Sequence, residues 1–335
     1  MPENSGGIIP LDWQALVDEA KRRRKAEKLT QKEHAALAGV SIPTMISFER
    51  GEETLTLGKA FDILRVVALV RETDRSGVQA NFVKEAFARW RRLTAKLSED
   101  SPGRFADGWY RIDYELVGDL RDVSLTELEE FLAKAKVRHT GWAMFWIPTR
   151  PEITPREIDG TLECWHAPNE IDKERMFDDP AHCDFWRAAP EGRMFLMRGY
   201  QEDSVETFPP RTIFDTTLVI WRLSEALLHA NRMALLMRRS EGDEITVKLR
   251  AMYTGLTGRI LRSWANPQWD PVIDRQPARS DECVVETITP ATSIEDRLAH
   301  LVFPLVTSIY ERFGVTGIPF EAIEREVRRF RQSRV

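Results

Sequence analysis

The sequence predicts a multidomain chain: an all-α head of five short helices, a connecting helix, and a mixed α+β C-terminal domain. Three observations carry this. Apolar residues recur at helical spacing through the first seventy positions, turn residues crowd Ser98 to Gly108, and β-like runs alternate with helical ones after Trp109. The expected boundaries are 1–75 for the head, 76–100 for the connecting helix and 101–335 for the C-terminal domain.

Within the head, Trp13, Leu16, Val17 and Ala20 fall on one face of a first helix. Thr30 and Glu33 have capping-box spacing for a second. Gly39 ends that helix, Ser41 caps a third, Gly51 closes it, and Thr56 opens a fourth running through Leu57, Phe61 and Leu64. From Val78 to Leu97, Phe82, Ala86, Trp90 and Leu93 share a face while Lys84, Arg91 and Lys96 point elsewhere. This basic amphipathic helix suits a linker packed on the following domain, a dimerisation element or a second DNA contact.

In the C-terminal domain, strands are expected at Trp109–Val117, Trp142–Ile147, Gly160–Trp165, Met194–Tyr200, Ile245–Tyr253 and Cys283–Ile288. Helices are expected at Leu125–Val137, Thr217–Arg238, Ile294–Arg312 and Phe320–Arg331. Eight of the ten tryptophans lie here, enough for a large core.

Composition narrows the function classes. With 42% hydrophobic and 30% charged residues the chain is that of a globular protein. It has no run of about eighteen apolar residues, so no membrane span is expected. Residues 1–10 lack the features of a secretory signal, and three scattered cysteines, Cys164, Cys183 and Cys283, make no disulfide framework. A reducing cytoplasm is the expected location.

The run Leu29–Leu57, LTQKEHAALAGVSIPTMISFERGEETLTL, resembles the Cro/repressor, or XRE-type, helix-turn-helix family. The resemblance spans 13–70, less than a quarter of the chain. It rests on the Leu-Thr-Gln start, the Ala-Gly-Val-Ser turn and the Glu-x-Gly close. Ala35 suits the close approach of two helices, Gly39 the left-handed turn, and Val40 a plug into the core. Met45 and Phe48 then face inward, so Ile42, Pro43, Thr44 and Ser47 form the opposite face.

The resemblance implies double-stranded DNA as the partner, with Gln31 and the Ser41 region on phosphates and Ile42, Pro43 and Ser47 at base-reading positions. It also implies a partly buried ion pair between Arg24 and Glu49, which places Arg24 beside the interface set. His34 stands where the family usually has leucine and reads as a core histidine bonded to a carbonyl. Ile42 and Pro43 replace polar base readers, and Glu52 and Glu53 stand where relatives place a base.

Charge sets a condition on this reading. Residues 1–75 hold twelve basic and twelve acidic side chains, and five of the bases lie in Lys21–Lys25. Few phosphate neutralisations mean a weak non-specific term, so binding is expected to need a homodimer or larger assembly on paired half-sites.

The C-terminal domain shows no Walker loop, dinucleotide fingerprint, zincin motif or nucleophile elbow, so no enzyme activity, cofactor or metal is expected. Cys164, His166, His182 and Cys183 have poor zinc spacing and read as core or boundary residues. Asp178, Asp179, Asp184, Glu202 and Asp203 surround Phe185, Trp186 and Tyr200. They either line a pocket for a cation or are solvated loop charges, the latter preferred. Arg193, Arg198, Arg222 and Arg259 either serve an anionic ligand or pair with those acids.

Phe177–Ser204 and Thr212–Ala234 resemble C-terminal regions of bacterial proteins carrying an AlbA/Schlafen-type nucleic-acid-binding domain. That implies a sensor or assembly module shared among different heads. The expected function is a dimeric, operator-binding transcriptional regulator, a repressor, modulated through the C-terminal domain by a small molecule, a protein or a change of assembly. The alternatives are a defence effector or enzyme targeted to nucleic acid by its head, and an antitoxin or scaffold.

Overall fold

The fold is that of a computed structural model describing residues 12–70, 76–140, 143–166, 180–267 and 276–333. It is mixed α+β, and its contacts divide the chain into two compact units, residues 1–84 and 85–335.

The smaller unit is helical. It holds α1 (Trp13–Ala26), α2 (Gln31–Ala38), α3 (Ile42–Glu49) and α4 (Leu57–Val66), followed by the start of α5 (Ser76–Thr94). The head expected to contain five helices has four among its described residues, and the fifth is the connecting helix itself. The start and stop signals act where the sequence puts them. Asp12 accepts from Ala15 N at the head of α1, and Thr30 and Glu33 form a reciprocal capping box on α2. Val17, Ala35, Met45, Phe48 and Ile63 are fully buried and make the centre of this unit. Trp13 meets Phe48 edge to face at 5.5 Å and donates its indole N–H to Gly51 O at 3.0 Å, fastening α1 to the end of α3.

The larger unit is built on a seven-stranded antiparallel sheet. Its strands are β1 (Trp109–Val117), β2 (Arg156–Ile158), β3 (Thr161–Trp165), β4 (Phe185–Ala189), β5 (Arg193–Gly199), β7 (Thr246–Tyr253) and β9 (Cys283–Pro290). They lie in the order β2-β3-β4-β5-β1-β7-β9. A small parallel pair joins β6 (Ile213–Asp215) to β8 (Ile260–Arg262). The helices are α6 (Leu125–Ala135), α7 (Thr216–Met237), α8 (Ile294–Tyr310) and α9 (Phe320–Gln332).

The alternation in WYRIDYELV splits β1 between two environments. Tyr110, Ile112, Tyr114 and Leu116 enter the core with α7, whose Val219, Leu223, Ala226 and Ala230 are buried around them. Arg111, Asp113 and Glu115 point to the other face yet are also buried, so the strand shows no exposed side until Val117. On that second face, within the larger unit, α5 contributes Phe87, 6.1 Å from Trp109, and Trp90, stacked 5.8 Å from Phe105. Trp90 is therefore a core residue of the larger unit, which favours the packed-linker reading of the helix over a Trp90-centred dimer seam.

Other expectations shift for physical reasons. Residues 143–147 form turns instead of a strand, and Trp142 lies outside the described residues. β4 was not anticipated because all five of its residues are buried, which erases the period-two signal. Among the described residues no helix is long and apolar enough to cross a membrane.

Two backbone segments cross closely just before the start of β1. A Cβ added at Gly255 (φ +69°) would lie 2.6 Å from Asp107 O and 2.7 Å from Gly108 Cα. Gly255→Ala should therefore destabilise the larger unit by about 2–4 kcal/mol, combining left-handed strain with backbone overlap. Gly242→Ala, which meets nothing within 4 Å, should stay within about 0.5 kcal/mol. Urea denaturation followed by tryptophan fluorescence checks both.

Candidate nucleic-acid interface

In the smaller unit, α2 and α3 are joined through Gly39, Val40 and Ser41. Gly39 takes the left-handed conformation (φ 65°), and its N–H with that of Val40 returns to carbonyls of α2. Val40 is buried. Ser41 then opens α3: its hydroxyl accepts from Thr44 N at 3.3 Å and meets Thr44 Oγ1 at 2.9 Å. Pro43 sits in the first turn of α3, where its missing N–H costs nothing.

Register does the rest. Met45 and Phe48 are fully buried, whereas Pro43 is exposed and Ile42, Thr44 and Ser47 are half-buried. Two residues of that face, Ile42 and Pro43, are apolar, and two, Thr44 and Ser47, carry hydroxyls.

One ion pair holds this arrangement. Arg24 Nε donates to Glu49 Oε1 at 2.7 Å, with the two side chains only 11% and 9% exposed. Arg24 also donates to Leu29 O at 2.8 Å, so one guanidinium ties α1 to α3 and to the entry of α2. Gln31 Nε2 joins the same carboxylate at 2.6 Å. Two expectations are corrected by these bonds. Arg24 is inside the fold and is spent on Glu49 and Leu29, so it leaves the DNA-contacting set. Gln31 is exposed, but one of its amide donors serves Glu49 instead of standing open to a phosphate.

The remaining bases of Lys21–Lys25 are largely committed too. Lys21 reaches Asp18 at 3.5 Å and Glu49 O at 3.3 Å. Arg22 and Arg23 both bind Glu19, and their hydrogen bonds hold its carboxyl down at about 2. Arg23 also donates to Val67 O and Ala68 O. Lys25 stays exposed. The basic run thus works mainly as scaffolding for α1.

His34 is buried and donates from Nε2 to Ile63 O at 2.9 Å. Burial pushes its pKa down, partly countered by that carbonyl. It links α2 to α4 as a core histidine.

No family model, curated protein or solved structure matches this chain.

Several charged groups of the larger unit are internal. Arg198 pairs with Asp184 through two hydrogen bonds, Arg259 binds Asp203 at 2.6 Å, and Arg222 lies 3.4 Å from Glu202. All six residues are at least 92% buried: the least so is Asp203, with 8% exposure. The preferred reading of Asp184, Glu202 and Asp203 as solvated loop charges is overturned. Arg198, Arg222 and Arg259 meet the acids, whereas Arg193 pairs with Glu191 at 2.7 Å, and Asp178 and Asp179 lie outside the described residues. Further buried carboxylates are held by backbone donors. Asp215 accepts from Thr217, Leu218, Trp264 and Ala265 N–H groups, and Glu225 from His139 and Thr140. Desolvation still raises their pKa values, to about 6 and about 7.

Cys164 and His166 adjoin at 3.2 Å between Sγ and Nε2. Burial raises the thiol and lowers the imidazole to about 4, so both are neutral and do not form a thiolate–imidazolium nucleophile. Among the described residues no group of three or more potential metal ligands converges. Which acid each arginine meets is not legible in the sequence, because acid and base lie up to 56 positions apart, as with Asp203 and Arg259.

Two outcomes follow. Glu49→Ala strands Arg24 and should cost the smaller unit about 3 kcal/mol, with Glu49→Gln intermediate; thermal unfolding of the two variants checks the order. The second concerns pH. A folded-state imidazole held below its ordinary value contributes stability that is complete above about pH 6.5 and lost as pH falls toward about 4, since the unfolded chain takes the proton first. Asp215 and Glu225 act oppositely, their contribution being lost as pH rises through about 6–7. Comparing each variant with the parent cancels that opposing part. Between about pH 7.5 and about pH 4.5, His166→Gln should lose about 2–3 kcal/mol less unfolding free energy than the parent.

Proposed function

We propose that α2, the Gly39–Ser41 turn and α3 form a helix-turn-helix unit with which the protein binds DNA as a sequence-specific regulator, acting as a repressor. The observation that carries this reading is the split of α3: Met45 and Phe48 are fully buried, while Pro43 is exposed and Ile42, Thr44 and Ser47 are half-buried. An eight-residue helix with one face anchored and the other partly exposed, entered through a capped tight turn, has the form of a recognition helix laid in a major groove.

The side chains define the kind of readout. Ile42 and Pro43 offer contact to thymine methyls and shape selection, not bidentate hydrogen bonds; Thr44 and Ser47 add single ones. With Lys21, Arg23 and Arg24 bonded to other parts of the unit and Arg22 paired with Glu19 on its own helix, phosphate neutralisation per copy is small and the salt dependence shallow. Binding therefore requires a homodimer on half-sites about 34 Å apart. The larger unit, in this reading, sets the assembly and answers a small molecule or partner, and it performs no catalysis.

A second reading has a specific observation in its favour. The neutralised basic run, together with Leu57, 66% exposed at the start of α4, suits a helical unit that binds protein.

Selection from random duplex DNA at about 50 mM salt, where phosphate contacts are strongest, separates the two. The regulator reading expects an enriched two-fold motif. It also expects Pro43→Ala with Ser47→Arg to retarget the footprint, with about 1–3 kcal/mol of altered discrimination at the contacted base pairs and an unchanged melting curve. No enrichment, or footprints indifferent to that double substitution, gives the ground to the protein-binding reading.

A further inference from the structure

At the β2 end of the large sheet, α5, the turn at 152–154 and the β2–β3 hairpin enclose a cleft of about 150 Å³, wholly inside the larger unit. Its walls are firmly built. Ile153 N and Thr154 N both donate to Arg150 O, closing the turn, and the Cys164 thiol donates to Ile153 O at 3.1 Å.

Two arginines and two glutamates line the cleft. Glu163, 7% exposed, receives Arg89 Nε on both oxygens at 3.0 and 3.1 Å, and Arg187 Nε stands 3.7 Å away. Arg187 is spent on Thr161 Oγ1 and Ile158 O. Arg89, by contrast, engages only through Nε: its two Nη groups meet no acceptor among the described residues. Arg156, opposite Glu163 in the β2–β3 register, is exposed, and its side chain makes no hydrogen bond or ion pair among them. Glu152 also lines the cleft and is exposed. Arg89 and Arg156 match Glu152 and Glu163 in formal charge, and the open donors are the Nη groups of Arg89 and the guanidinium of Arg156.

Beside these donors stand Leu93, Ile153, Ile158 and Trp165. The indole N–H of Trp165 is buried without a hydrogen-bond partner, an uncommitted donor in a side chain that lines the cleft. Apolar walls with a few convergent polar groups are the make-up of a small-molecule site. Two open guanidinium forks in a cleft with no surplus positive charge favour a monoanion over a dianionic phosphate.

From this we infer that the cleft binds a small organic monocarboxylate with an apolar body, the size of a single ring or a short branched chain. Its carboxylate bridges Arg156 and the Nη groups of Arg89, and its apolar part lies against Leu93, Ile158 and Trp165. The site is contained in the larger unit and its test needs no DNA, so it stands or falls separately from the recognition-helix reading.

Benzoate titrated into the full-length protein tests it, followed by calorimetry and by the Trp165 indole N–H resonance, identified by its loss in Trp165→Phe. Saturable binding with Kd below about 1 mM is expected, with movement of that resonance. Arg156→Ala, an exposed change that leaves the melting curve intact, should weaken binding about ten-fold or more, and neutral benzyl alcohol should bind at least about ten-fold more weakly than benzoate. Failure to saturate overturns the assignment, as does binding that Arg156→Ala leaves unchanged, or equal affinity for benzyl alcohol.

Discussion

Everything in this fold depends on burying guanidinium groups only where a carboxylate awaits them. Arg24 with Glu49, Arg198 with Asp184, Arg222 with Glu202 and Arg259 with Asp203 are interior pairs joining separate elements. Such pairs add little net stability, because desolvation offsets attraction. They are strict about geometry, since either partner left alone inside the protein is expensive. The arginine that fixes α1 against α3 in the smaller unit, the one that ties β5 to Asp184 ahead of β4, and those that tie α7 and the residue before β8 to Glu202 and Asp203 serve the same end. They select one packing among several that apolar contacts alone would tolerate.

This constraint bears directly on the recognition-helix reading. A run of five bases in a sequence invites an electrostatic account of nucleic-acid binding. Here folding consumes most of that charge before any ligand arrives: Glu19 takes two arginines, Glu49 takes a third, and Asp18 with the end of α3 takes Lys21. What α3 offers outward is shape and a few hydroxyls. An interface of this kind depends on the fit of one short helix and on pairing of copies more than on long-range attraction.

Features written in local chemistry were legible in the sequence. The Thr30–Glu33 box, the Gly39 turn, the Ser41 cap and the inward placement of Met45 and Phe48 need only residues within a few positions of one another. Long helices such as α7 and the alternating strand β1 were visible from periodicity. β4 was hidden because it is covered on both faces. The partners of Arg198, Arg222 and Arg259 were hidden because the sheet, not the chain, brings them together. Gln31 shows the limit within the candidate site: its place at the start of α2 could be read, its bond to Glu49 eighteen residues away could not.

The three cysteines give the molecule a property of experimental use. Cys164, Cys183 and Cys283 are all buried, at 1%, 0% and 1% exposure, and all belong to the larger unit. A thiol reagent added to the native protein has nothing to react with until that unit opens. The rate of labelling is thus an intrinsic clock for its opening, silent to events in the helical unit and requiring no engineered probe.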